Sequence, residues 1–348
     1  MVTVDQSSTF EALFETMTAT PIEITHSTTG SSTESSASRG TGFHFQCVVV
    51  AIGLVGAVLN GLILYALIAS EQHKKHVLIF NQNVFDLINC LFMIVRYSVI
   101  LRNAYLSGTS GYWLCLTILS GAGSYVTFFG CLINIAAASV ERYLKVVHHT
   151  WAKKMLHDWI IYSVIAFAWI SGIVIAVAVY IPTSAVVNGV CYSATFFASK
   201  NARMAYAIWD YLSFYVIIIL IFVFCYGRIL MVIRRQARVM AAHSAGGSNT
   251  AQNQLNKTQT SVIKTMILVS GLLTITGAPV YVYTLRYMFH SELTFDEKSW
   301  YAVVSIAYLY TCINPFIYAT KFEPVKRVLL GLIPCKKNTQ PLESIEIN

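Results

Sequence analysis

Residues 45–70 read FQCVVVAIGLVGAVLNGLILYALIAS. The stretch holds no Asp, Glu, Lys or Arg, and its side-chain amides are Gln46 at the start and Asn60 in the middle. The hydrocarbon core of a bilayer takes about 20 apolar residues as a helix, whereas a spanning strand needs about ten. In lipid every backbone polar group must be satisfied inside the protein, which a single helix achieves alone and a single strand cannot. Phe45–Ser70 is therefore expected to cross a membrane as a helix.

Working outward, six more stretches have the same character: Val77–Leu101, Trp113–Val147 (polar in its last third), Trp159–Ile181, Met204–Ile233, Val262–Met288 and Ser299–Thr320. None shows the ten-residue alternation of a barrel strand. Over all 348 residues 56% are hydrophobic and 11% charged, against about a quarter charged in a soluble domain. Soluble, disordered, collagen-like and disulfide-dense secreted classes are excluded. The expected fold is an all-α membrane protein: a seven-transmembrane helix bundle over 43–320, in contact with the lipid bilayer, with a tail at each end.

Of the 24 Lys and Arg, 17 fall on one side if the N-terminus is outside. That bias sets a cytoplasmic C-terminus, and it accounts for the net charge of +8 without nucleic acid. Residues 1–42, rich in Ser and Thr, read as a disordered extracellular tail, and 334–348 as a cytoplasmic one. No cleavable signal peptide is expected at the start, which carries Asp5, Glu11 and Glu15 instead of a basic and then apolar run. The polar stretch Ala241–Gln259 reads as a flexible cytoplasmic loop.

Polar residues at bilayer depth are costly and draw attention to function. Asn60, Asp86 and the Asn314-Pro315 pair stand mid-span. They read either as hydrogen-bonded glue between helices or as a hydrated pocket for a cation or proton. Asn314-Pro315 is expected to interrupt the seventh span. Glu141-Arg142-Tyr143 ends the third span. It reads either as a topology-setting charge cluster or as a switch in which Arg142 exchanges partners. No HExxH, GxSxG or P-loop pattern is present, and no His lies at depth beside a nucleophile, so an enzyme is not expected. A transporter or ion pathway through Asp86 is the alternative, without the repeated halves such folds carry.

Together these residues resemble the rhodopsin-like (class A) G protein-coupled receptors. Seven spans, Asn60, Asn81…Asp86, Glu141-Arg142-Tyr143, Trp169, Pro279 and Asn314-Pro315-Phe316-Ile317-Tyr318 appear in that family's order, over about Phe45–Cys335. The resemblance implies a plasma-membrane receptor for an extracellular ligand. Its partners would be a heterotrimeric G protein, an arrestin and a receptor kinase. It implies a Cys115–Cys191 disulfide, Arg142 paired with Glu141 at rest, and Tyr226 and Tyr318 moving towards Arg142 on activation. Residues 321–333 follow with Phe322, Val325, Val328, Leu329 and Leu332 at helical spacing, an amphipathic membrane-surface helix. Cys335 beyond it is a palmitoylation candidate.

Several positions depart from the family. Gly277 replaces the usual Trp before Pro279. Cys115 lies two residues further from Arg142 than usual, implying a bulge or insertion in the outer third span. Gln259 cannot form the ion pair that often restrains Arg142, which implies a loosely held resting state with appreciable basal activity. A sodium ion at Asp86 and Asn314, the one cofactor the family suggests, meets Cys131 and Tyr310 where small hydroxyl or Asn ligands are common. Tyr308 stands where an opsin needs its retinal Lys. Ala122–Ser124 lack the Asp of amine receptors. Arg96, Tyr125, Phe128, Asp210, Tyr283, Arg286 and Tyr308 are the ligand-pocket candidates, for a peptide or a small zwitterion, with a peptide favoured.

Overall fold

The computed structural model describes residues 32–102, 105–192, 198–243, 250–289 and 296–332. The chain divides into two units, Met1–Thr41 and Gly42–Asn348. In the first, residues 32–41 are helical. A helix runs Ser32–Ala69 and so begins well inside the segment 1–42 expected to be disordered. Residues 32–41 hold no Pro, and each residue added to an existing helix gains a backbone bond without a new nucleation cost.

Among the described residues seven helices are long and apolar enough to cross a membrane: α1 Gly42–Ala69, α2 Val77–Leu101, α3 Gly108–Val147, α4 Asp158–Tyr180, α5 Asn201–Arg235, α6 Ile263–Arg286 and α7 Lys298–Lys321. α8, Glu323–Gly331, follows with Pro324 in its first turn, where the missing N–H costs nothing. α6 continues backwards to Thr250, taking in half of the expected loop 241–259, because residues 250–259 hold neither Gly nor Pro. Cys335 and the tail 334–348 lie outside the described residues.

α3 is the central helix, packed by α2, α4 and α5. Its first part widens into a π-helical turn at Cys115–Leu119, followed by a break at Ser120–Gly121. This is the bulge that the extra spacing implies. Gly121 has φ +84°, and a side chain there would also strike the Arg96 guanidinium. α4 approaches α3 so closely at Gly172 that a methyl would overlap the Val126 carbonyl.

α7 does not break at Asn314-Pro315. Its interruption lies at Leu309, between segments Glu297–Tyr308 and Tyr310–Lys321. Pro315 still deprives the Thr311 carbonyl of its helical donor. The Asn60 amide replaces it, donating to Thr311 O at 2.9 Å and to Gly56 O at 2.8 Å.

Between α4 and α5 a short hairpin pairs β1, Ala185–Val187, with β2, Val190–Tyr192. Its turn is Asn188-Gly189, both at positive φ, the geometry such two-residue turns require. At the other end α8 folds against the bundle by burying Phe322 and Val325, with Leu332 left exposed.

Gly172→Ala is expected to lower stability by about 1–3 kcal/mol, the usual cost of overpacking. Gly227, with open space around it, should tolerate Ala without loss. Melting temperatures of the two purified variants in detergent check the contrast.

Candidate functional site

Polar side chains that the apolar spans cannot leave unpaired collect in a column through the bundle. In its middle, Asp86 is fully buried. It accepts from Asn314 Nδ2 at 3.0 Å, from Gln82 Nε2 at 3.5 Å and from the Cys131 thiol at 3.9 Å. Asn89 Nδ2 donates to the Tyr310 hydroxyl at 3.5 Å. Three donors already face the Asp86 carboxylate, and Cys131 and Tyr310 contribute a thiol and a phenol. A sodium ion fits this set poorly, and no step below runs through one. Among the described residues no three His, Cys, Asp or Glu side chains converge to hold a metal.

One turn further along α2, Asn81 Nδ2 donates to Asn134 Oδ1 at 2.9 Å, and Asn134 Nδ2 donates to Leu78 O and Gln82 Oε1 at 2.9 and 3.0 Å. Trp169 Nε1 donates to Asn81 Oδ1 at 3.3 Å, its ring stacked on Phe85 at 4.2 Å. Helices α2, α3 and α4 are thereby fixed to one another. Asn134 met the same criterion as Asn60, an amide inside an apolar run, and was passed over.

At the Arg142 end the expected ion pair with Glu141 is present, and each residue has a second partner. Arg142 Nη2 is 3.7 Å from Glu141 Oε2 and also donates to His76 Nδ1 at 2.9 Å. Glu141 also accepts from Lys145, one turn on. His76 precedes α2 and packs edge-on against Phe322 at 5.3 Å. Burial and the adjacent Arg142 guanidinium push the His76 imidazole down to about 4. At neutral pH it is uncharged, so Nδ1 can accept. The sign follows: with a lowered folded value, the contact is complete above the usual histidine range and is lost as pH falls towards 4. Tyr226 shares hydrogen bonds with Ser139 Oγ at 2.8 Å and Ser270 Oγ at 3.1 Å. The Tyr318 hydroxyl is buried without a partner. Tyr143 bonds His148 at 3.0 Å. The Gln259 side chain lies outside what is described. Sequence reasoning missed His76; its place immediately before a span, on the side where Arg142 ends α3, was the available signal.

At the opposite end a cavity of about 230 Å³ opens between α3, α5, α6 and α7. Tyr125, Phe128 and Asp210 line it, as do Arg203, Tyr206 and Tyr281. The other four candidates lie off its wall. Arg96 packs over the Tyr97 ring at 5.5 Å and Tyr308 meets Tyr97 edge-on at 6.4 Å. Tyr283 donates to Asp296 O at 2.9 Å, and Arg286 is exposed. Cys115 in the wide turn of α3 is bonded to Cys191 of β2.

Residues 59–318 match the family described as the seven-transmembrane receptors of the rhodopsin family. The chain belongs to the rhodopsin-like receptor family. Among relatives, the melatonin receptor type 1C of Xenopus laevis is 23% identical over 313 residues, covering 86% of this chain and 70% of that receptor. The crystal structure of squid rhodopsin superposes with a TM-score of 0.68 at 17% identity, over 85% of this chain and 86% of that one. The chain is thus a multi-pass class A G protein-coupled receptor, and a transporter reading is not favoured.

In this receptor the bridge closes a long loop, with a sequence separation of 76, and ties the hairpin to the first part of α3. Removing such a constraint from the unfolded chain costs about 2–5 kcal/mol of stability. Cys115→Ser and Cys191→Ser are each expected to lose most surface receptor. Flow cytometry on intact cells against total expression reads this out, and normal levels of both variants would contradict it.

Proposed function

We propose that this receptor lies in the plasma membrane with Met1 outside and Asn348 inside, and that a ligand entering the outer cavity activates a heterotrimeric G protein through release of Arg142. The observation that supports this most is the 2.9 Å bond from Arg142 to His76. It engages the one cation of α3 that is both largely buried and beside the bundle axis, and it draws on a loop that G-protein docking would disturb. Breaking it frees a guanidinium that stays charged and donates in several directions.

Activation is a shift between two populations of one bundle. The ligand contributes only its differential affinity for the open form. Tyr226 and the unpartnered Tyr318 hydroxyl stand ready to take up new bonds near Arg142 once α5, α6 and α7 move. Lys153, Lys154, Arg234, Arg235 and Arg238 surround the cleft with positive charge for the partner, and for an arrestin and a receptor kinase afterwards. The expectation of high basal activity rested on Gln259. His76 gives Arg142 a restraint of its own, and basal exchange is expected to be low. A cavity of about 230 Å³, below the usual range of about 300–1,000 Å³ for ligand pockets, suits a small ligand better than a long peptide.

Guanine-nucleotide exchange on purified G protein tests this reading. Arg142→Ala should abolish ligand-driven exchange while surface receptor persists. His76→Ala should raise ligand-free exchange about threefold to tenfold, the change that removing about 1 kcal/mol from one side of an equilibrium produces. Unchanged exchange in both variants would refute the assigned roles. Tags on Met1 and Asn348 should stain on intact cells and only after permeabilisation, respectively.

A further inference from the structure

The outer cavity carries two charged side chains on its wall, Arg203 and Asp210. Both come from α5, seven residues apart and so on one face of the helix, with Cα atoms about 10 Å apart along the axis. Neither forms an ion pair: the ion pairs among the described residues join Glu141 to Arg142 and Lys145, and Glu323 to Lys326. Asp210 Oδ1 and Arg203 Nε are both buried without a hydrogen-bond partner. An unpaired acceptor of negative charge and an unpaired donor of positive charge thus face one small space. Burying such groups unpaired is costly unless something else completes them.

The remaining wall is aromatic. Tyr211 stacks on Tyr215 at 5.6 Å, and Tyr281 closes on Tyr215 at 4.7 Å. On the α3 side Tyr125 stacks on Tyr180 at 3.7 Å, and the Tyr206 hydroxyl donates to Tyr180 at 3.2 Å. Tyrosine faces attract a cation and offer a flat apolar body its place. The charge absent from α3 at Ala122–Ser124 is supplied here from α5.

Resting on the receptor reading above, we propose that this cavity takes a dipeptide-sized aromatic zwitterion. Its ammonium sits on Asp210, its ring lies among the tyrosines of α5 and α6, and its acid group reaches Arg203 nearer the mouth. The size agrees. An extended dipeptide spans about 7 Å, and the long Arg203 side chain covers the remaining distance. A longer peptide would have to leave most of its length outside.

Three forms of one probe separate the charges: phenylalanylglycine, its C-terminal amide (cation only) and its N-acetyl form (anion only). Affinity is read from thermal stabilisation of the full chain in nanodiscs. The zwitterion should stabilise the receptor most, the amide less and the N-acetyl form not at all. Asp210→Asn should weaken zwitterion binding about tenfold or more, as loss of a charge-assisted bond does. Arg203→Gln should erase the zwitterion's advantage over the amide. The proposal is overturned if the N-acetyl form binds as well as the zwitterion, if no form stabilises the receptor, or if both variants bind like the parent. Should Asp210→Asn fail to fold, the three-probe comparison on the unmodified chain decides alone. Ligand-free exchange that requires Arg142 tests the receptor reading independently, so a failed probe series leaves that result standing.

Discussion

The hydrogen bond from Asn60 to the Thr311 carbonyl is what allows a proline inside a membrane helix. In water a carbonyl freed by Pro315 would find solvent; in lipid it has to find protein. Once Asn60 fills that role, α1 is fixed against α7 at a defined height, and Asn314, next to the proline, points its amide at Asp86. The column continues through Gln82 to Asn134 and Trp169. Each link satisfies a group that the apolar spans cannot leave bare, and the packing of α1, α2, α3, α4 and α7 follows from these pairings as much as from shape.

Unmatched groups occur along the whole column. In the middle Asp86 and Asn134 are matched, while the amide oxygens of Asn60, Asn83, Asn89 and Asn314 are buried without a partner. Others lie towards the ends: the Tyr318 hydroxyl and Arg142 Nε on one side, Arg203 Nε and Asp210 Oδ1 on the other. Unsatisfied groups of this kind carry stored free energy that a partner can release.

Much of this was legible in the sequence. All seven spans were recoverable because hydropathy at helix length is a direct consequence of bilayer thickness. Asp86 and Asn60 stood out because charge and amides at depth are rare, and Arg142 because a Glu-Arg-Tyr cluster ends the third span. The Cys115–Cys191 bridge and the irregular outer third of α3 were implied by family resemblance and spacing. What could not be read was the second partner of Arg142. The ion pair with Glu141 forms, and His76 is added to it, because adjacent residues on a helix point about 100° apart while a loop from another helix can approach head-on. Arg96, Tyr283, Arg286 and Tyr308 looked equivalent to Asp210 by depth alone. Which face each presents depends on helix rotation, and hydropathy in an all-round apolar span carries little information on rotation. The break in α7 fell at Leu309, where no residue type announces it.

The wide turn at Cys115–Leu119, with its exit at Gly121, has one further implication. A π-turn takes up additional chain without passing the change of phase along the helix. The two ends of α3 are thereby uncoupled in register: insertions or deletions before Gly121 can reshape the cavity end while Arg142 keeps its bearing. Such a slip joint lets one end of the bundle vary at little risk to the other.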